Sequence, residues 1–559
     1  MIGRLLPEVV NLFRRAGRRR GGEGAAPTAD RLLGLLGPSW RASPWRRVVQ
    51  VAALGVFAWL LLYVSFPPGH VFDPAALSSK ETLPVEFFLW LDPAAGVSAA
   101  VAGRAVIAAL WGAAATMLLS VAMPRVFCGW LCPMGTLIDA FDGSIGRWLR
   151  RLGRVRRGWW TRLRYGVLAA VLVAAAGGVL LSALVAPIVV LTRGLWMTGG
   201  RLQSGVARGW ESLGPLGPAA WLSVAIFAAV LLLGLLSRRF WCRCLCPSGA
   251  MLSLTSAGRV YERRVDSTCV ECGKCADACA FGAIEDDFST RHAACTFCQT
   301  CGGACPVGAI SFACRLGAPQ SRPKTDARQQ PAAEGRRAFL VATFGGAAAG
   351  LAGRLGIGGP GRAEKPIRPP GSIEEQRFLN LCVRCGQCMQ VCPGPVLHPA
   401  GLEAGIEALW TPAARLTKAA CHQDCNFCTQ VCPTGAIRPL ELSEKRRFRM
   451  GLAKIDPVLC LPHSGKEDCR RCFDECEAAG YHAIEMRTIH LDVGEIPEGT
   501  VSEMELEEMS RIDAPHVIAD KCVGCGLCEY RCHSRWVTNE RRLPRSAIVV
   551  HPPGEMGAA

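Results

Sequence analysis

A polytopic α-helical membrane domain joined to small, cysteine-rich α+β domains is the architecture this sequence predicts, and three observations predict it. Half of the 559 residues are hydrophobic and only 19% are charged, a balance that argues against an entirely soluble chain. Five apolar stretches approach or exceed the roughly 20 residues of helix that cross a hydrocarbon layer. Thirty cysteines recur in short-gap sets, which suits metal ligation better than a disulfide framework.

Residues 1–44 form a basic segment too long, and too lacking in a cleavage pattern, for a removable secretory signal. Residues 45–260 then carry four predicted spans, Val48–Phe66, Ser98–Met123, Tyr165–Ala186 and Ala219–Leu236, and a fifth follows at Ala338–Ile357. Arg104 falls near the start of the second span, where a long side chain can reach the interface. Ten arginines precede residue 48 and nine lie in 124–164, whereas 67–97 has only Lys80 and 187–218 only Arg193, Arg201 and Arg208. Positive charge stays on the cytoplasmic side, so the N-terminus is predicted inside and the chain after the fifth span outside.

Two membrane-proximal motifs repeat, RVFCGWLCPMG with Cys128 and Cys132, and RFWCRCLCPSG with Cys242 and Cys246 plus Cys244. Each follows a predicted outside-to-inside span, so both C-x3-C-P pairs are expected at the cytoplasmic surface of a duplicated bundle. Their four thiolates can hold a metal or cluster, or act as redox-active dithiols, or merely pack where Cys-Pro turns end two helices.

Residues 261–316 contain Cys269, Cys272, Cys275, Cys279 and then Cys295, Cys298, Cys301, Cys305. This is the C-x2-C-x2-C-x3-C spacing, twice, of a two-cluster ferredoxin. Three closely spaced thiolates wrap one cubane and the fourth reaches the other. One site is therefore expected to be Cys269, Cys272, Cys275 and Cys305, the other Cys295, Cys298, Cys301 and Cys279. Zinc sites use paired ligands at each end of a finger and fit this run poorly.

A linker, 317–335, leads to 336–358, where Arg336 and Arg337 precede Phe339 and Leu340 in a twin-arginine-like signal ahead of the fifth span. That route exports folded cargo, as a domain loaded with clusters requires. After a second linker, 359–373, residues 374–550 hold four more sets: Cys382, Cys385, Cys388, Cys392; Cys421, Cys425, Cys428, Cys432; Cys460, Cys469, Cys472, Cys476; and Cys522, Cys525, Cys528, Cys532. Fourth ligands crossing between sets imply two lobes, and pairing the first set with the last and the second with the third is the expectation. The whole is thus a polytopic α-helical membrane domain plus α+β ferredoxin-like [4Fe-4S] domains, with six clusters on 24 cysteines, two cytoplasmic and four periplasmic.

The formal charge of +17 does not imply nucleic-acid binding. Basic residues flank spans, and six tetrathiolate clusters at roughly −2 each lower the balance to about +5. No His pair lies within a span and no C-x-x-C-H occurs, so no haem is expected, and the glycines near Gly356 are interrupted by Pro360, so no nicotinamide or flavin site is evident. His70, at the outer end of the first span, is read as a loop residue rather than a quinol ligand. The acidic run Glu495–Asp513 is read as a solvated helix.

These motifs resemble two ferredoxin-type subunits of periplasmic nitrate reductase systems, fused in one chain. Residues 45–315 are similar to NapH and to MauN of methylamine utilisation, and residues 336–550 to NapG and MauM. The resemblance implies a component of a quinol dehydrogenase rather than a stand-alone enzyme, with no catalytic residue of its own. Such a protein takes electrons from quinol and passes them to a periplasmic redox partner, a reductase or cytochrome. Its setting is the lipid and quinone pool of the bacterial inner membrane. The alternative is a maturation or regulatory factor that keeps a metalloenzyme in the right redox state through its C-x3-C-P thiols.

Overall fold

A computed structural model describes residues 39–40, 43–65, 83–146, 160–208, 210, 217–315, 340, 343–348, 365–490 and 511–553. His70, Arg336, Arg337, the first linker, the start of the second and most of the basic segment, of the fifth predicted span and of the acidic run lie outside the described residues.

Helix α1, Pro44–Ser65, is 22 residues long, about 33 Å at 1.5 Å per residue, and matches the first predicted span. Helices α2 (Pro93–Gly103) and α3 (Ala109–Ala122) replace the single helix expected over Ser98–Met123. The apolar run breaks because Arg104 takes a left-handed conformation, φ +48°, and caps α2 by donating its N–H to carbonyls one turn back. The third expected span breaks as well. Helix α5 (Trp160–Ala176; α4 is Pro133–Gly143) ends before Gly178, whose φ of +88° favours glycine, and the chain restarts as α6, Pro187–Leu195. Helix α7, Pro218–Leu232, follows the expected fourth span, and α8, Pro247–Thr255, follows the second C-x3-C-P motif. Among the described residues, two helical segments are long and apolar enough to cross a membrane, Pro44–Val64 and Pro218–Leu235.

The ferredoxin-like units pack at the ends of this bundle. In the first, β1 (Tyr261–Val265) pairs antiparallel with β2 (Ile310–Cys314), from Tyr261 opposite Cys314 to Val265 opposite Ile310, and so brackets both cysteine sets. The same closure occurs twice beyond residue 365. An antiparallel bridge joins Ser372 to Ile437 around the sets at 382–392 and 421–432. Strand β3, Leu452–Ile455, pairs with β4, Ile548–His551, around the sets at 460–476 and 522–532.

The two ends of α1 meet different partners. Near its start, Arg46 donates to Gly129 O at 2.9 Å and to Thr300 of the first ferredoxin unit. There Trp130 Nε1 also donates to Phe297 O, and Arg164 to Ala293 O. Towards its end, Leu61 O accepts from Gln390 at 2.6 Å. Around that end Gln387 donates to Val85 O, Trp90 to Pro433 O, Arg384 to Leu180 O and Trp410 to Ala219 O. Arg193 lies 3.9 Å above the Trp410 ring, so a cation–π contact and five hydrogen bonds to backbone carbonyls fasten the C-terminal lobes to this end. Residues 261–315 and the described residues 365–490 and 511–553 thus meet opposite ends of α1.

Candidate functional site

Five cavities, each with about 320 to 410 Å³ of empty space, are lined by cysteine quartets. They hold Cys269, Cys272, Cys275 and Cys305; Cys382, Cys385, Cys388 and Cys432; Cys392, Cys421, Cys425 and Cys428; Cys476, Cys522, Cys525 and Cys528; and Cys460, Cys469, Cys472 and Cys532. A sixth quartet, Cys279, Cys295, Cys298 and Cys301, lies within mutual electrostatic reach. In each, three thiols come from one set and the fourth crosses over from its partner set.

The first unit has the crossing read from its spacing. In the C-terminal part the structure corrects the pairing: the first set pairs with the second and the third with the fourth, not first with last and second with third. The cause is chain closure. The Ser372–Ile437 bridge and the β3–β4 pair each seal two consecutive sets into one unit, and a short connection costs less entropy to close than one spanning the whole lobe.

Local backbone positions the crossing thiols. The Sγ atoms of Cys279, Cys432 and Cys476 accept N–H bonds from Ala283 (3.2 Å), Ile437 (3.4 Å) and Ala483 (3.2 Å) in the turns that follow them. Such bonds hold a ligand sulfur in place and lower its electron density. Burial pushes the thiols of Cys382 and Cys460 up to about 11 and those of Cys295, Cys425 and Cys525 up to about 12. A buried thiolate therefore needs a cation, and metal binding is what supplies one. Cys298 differs: burial raises its pKa, but Arg46, a hydrogen bond from Thr300 and Arg239 outweigh that and leave it below the ordinary thiol value.

Among the described residues no three Cys, His, Asp or Glu side chains converge tightly enough to bind a single ion. Three thiols from one C-x2-C-x2-C run plus a fourth from the partner set suit a polynuclear cluster better than the paired ligands of a zinc finger. The quartets also follow one another. Cys388 is close to Cys428, Cys421 N donates to Cys525 O at 2.9 Å, and Cys528 is close to Cys472.

The model of the 4Fe-4S binding domain family matches residues 105–158 and 219–262. Ferredoxin-type protein NapG of Escherichia coli K12 is 36% identical over 207 residues, 35% of this chain and 81% of that protein. The chain belongs to the ferredoxin-type NapG, MauM and MauN proteins. The methylamine utilization ferredoxin-type protein MauM of Methylorubrum extorquens is 32% identical over 215 residues, 38% of this chain and 87% of the relative. MauN of the same organism is 33% identical over 252 residues, 43% and 76% respectively. No solved structure matches. Like these ferredoxin-type relatives, the chain is an iron–sulfur electron-transfer protein.

The four C-x3-C-P thiols also come together. Cys132 lies close to Cys128 and Cys242, and Cys246 close to Cys242 and Cys128. Cys244 sits apart, beside Arg243 and Arg164, and Cys314 ends β2, outside the quartets. Sequence reading missed the two arginines at this meeting point: Arg125 was counted only as a topology signal and Arg239 only as part of the motif RFWCRCLCPSG. Their matching place three residues before Cys128 and Cys242 was the available clue.

Proposed function

We propose that the chain is a membrane-anchored relay that carries electrons between the quinol pool and a redox partner on the outer face, and that its 24 grouped cysteines hold six [4Fe–4S] clusters. The observation that carries this reading is the arrangement of the quartets: two in 261–316 at one end of the bundle and four in a row at the other. Bound clusters supply one-electron transfer. The protein's part is to hold the sulfurs, hydrogen-bond them and keep consecutive quartets in contact.

The bundle is assigned to the bilayer, with the N-terminus and 261–316 on the cytoplasmic side and 374–550 on the periplasmic side. Its outward surface supports this: Val106 is 84% exposed, Trp111 76%, Leu118 71% and Trp221 59%, side chains that lipid would cover. The positive-inside pattern supports the same orientation. Residues 45–260, 336–358 and 374–550 act as membrane domain, signal or anchor segment and outer domain, so one chain combines what the MauN-like and NapG-like relatives carry separately.

A redox titration of anaerobic membranes followed by electron paramagnetic resonance tests the proposal. Several [4Fe–4S] signals should develop when a quinol is added. Clusters reducible by dithionite but silent to quinol would remove the quinol as donor.

A further inference from the structure

We propose, building on the relay reading above, that Arg193 and Arg384 make the quartet of Cys382, Cys385, Cys388 and Cys432 the highest-potential site of the outer row. Electrons arriving from the bundle then collect there first.

The two arginines interlock across the junction of bundle and lobe. Arg193, in the last turn of α6, donates from Nε to Ser223 Oγ of α7 (2.8 Å). One of its terminal nitrogens donates to Ala183 O (3.0 Å) and to Arg384 O (3.3 Å). That last carbonyl lies in the loop between Cys382 and Cys385, so a bundle side chain reaches the coil that wraps the site. Arg384 runs the other way, donating to Leu180 O of the bundle (3.0 Å) and to Glu407 O of its own lobe (2.7 Å). Its φ of +58° is left-handed, and Glu271 (+53°), Phe297 (+51°) and Gly524 (+71°) hold the same place in their own sets. The turn is common to these loops, and the inward guanidinium is what the first outer set adds.

Charge is the second observation. Arg193 is fully buried and Arg384 buried. Arg193 acts electrostatically on Cys385 and Arg384 on Cys382, and the two act on each other. Arg384 and Trp410 line the cavity of this quartet. Trp410 stacks on Arg193 at 3.9 Å and carbonyls take most of the N–H groups, but ring and carbonyl are neutral and cancel no charge. Arg193 Nη2 and Arg384 Nε have no hydrogen-bond partner. Among the described residues neither arginine is in an ion pair, and the Glu407 carboxylate acts on Arg384 only at longer range, its backbone carbonyl taking the hydrogen bond. Two like charges held near one another away from water are costly. Each electron added to the adjoining cluster offsets them, and in a medium of low dielectric this favours reduction at that site.

Comparison along the row is the third. The second outer quartet has one buried cation, Lys445, which acts on Cys425 and Cys428. Beside Cys476 of the third stands Glu477, whose charge works in the opposite direction. Arg471 lines the fourth cavity but is half-buried, where solvent weakens its field. Positive charge is therefore greatest at the quartet next to the bundle. In the relay reading a quinol is the reductant: it loses two electrons and releases two protons to water. Each electron that reaches this quartet reduces its cluster by one, with no bond made or broken there.

Anaerobic redox titration of the detergent-extracted full chain, followed by electron paramagnetic resonance, tests this order. C388A, C428A, C528A and C472A each remove one outer site, and the signal that each variant lacks assigns that site's midpoint potential. The signal lost in C388A should have the highest midpoint of the four. A higher midpoint at any other outer site overturns the proposal with both arginines intact. R193Q and, separately, R384Q should lower that one midpoint by about 59 mV or more, a tenfold change in a one-electron equilibrium, at unchanged iron content. R193K should recover most of the shift. A midpoint that stays in place in both iron-replete glutamine variants also overturns the proposal. If C388A instead keeps all its irons, the assignment of the quartets is refuted and this inference falls with it.

Discussion

Crossing ligands make the pairing of the outer sets directly measurable. Cys432 lines the cavity of Cys382, Cys385 and Cys388 although it belongs in sequence to the following set. Replacing it with alanine should therefore disable the first set's site and spare that of Cys392, Cys421, Cys425 and Cys428. The magnitude follows from shared ligation: a site that has lost one thiolate gains no further loss from a second, whereas two different sites add. C432A should lose about four irons per chain, C385A/C432A about the same, and C425A/C432A about eight. Iron analysis with spin counting on anaerobically purified protein reads this out. If C425A/C432A matched the single variant and C385A/C432A doubled it, Cys432 would belong with its own set and the neighbouring-set architecture would be wrong.

Other consequences follow from contacts outside the quartets. Trp410 is 1% exposed, stacks under Arg193 at 3.9 Å and donates to Ala219 O at 2.6 Å. W410A should weaken docking of the outer lobes by about 3–5 kcal/mol, seen as earlier proteolytic release of 365–553 in detergent, with W410F intermediate. Arg239 grips Asp139 through two bonds of 2.6 and 2.7 Å. R239M should destabilise the fold by about 3 kcal/mol, measured as a lowered Tm, and less than that if Arg46 and Arg47 take over the carboxylate. Burial, followed by Arg259, lowers the pKa of His292 to about 4. Its neutral form is favoured in the fold, so the stability it contributes is complete above pH 6.5 and is lost as pH falls toward 4. H292Q should flatten the acid limb of a thermal-shift profile in that window.

Much of the candidate site was legible because cluster ligation is local. Three thiols two residues apart can wrap one cubane whatever the rest of the chain does, and within 269–305 only one other set is near enough in sequence to receive each fourth thiol. Pairing among the four outer sets was not legible, since it is decided by Ser372 meeting Ile437 and by β3 meeting β4, contacts that no spacing encodes. Hydropathy found α1 and α7 but joined α2 to α3 and α5 to the segment beyond Gly178. It reads how apolar a stretch is and is blind to the backbone turns at Arg104 and Gly178. Arginines were read by their number, although Arg125 and Arg239 matter through where their buried guanidinium groups point.

Passage of electrons from one end of the bundle to the other is the claim on which the account stands. Proteoliposomes containing the cluster-loaded chain, with a membrane-impermeant reductant trapped inside and an impermeant acceptor outside, measure it directly. Acceptor reduction is predicted, and it should stop when the clusters are stripped by an iron chelator under denaturing conditions before reconstitution. If every cluster can be reduced through soluble mediators yet the outside acceptor stays oxidised, the two groups of sites are not connected and the relay reading is contradicted.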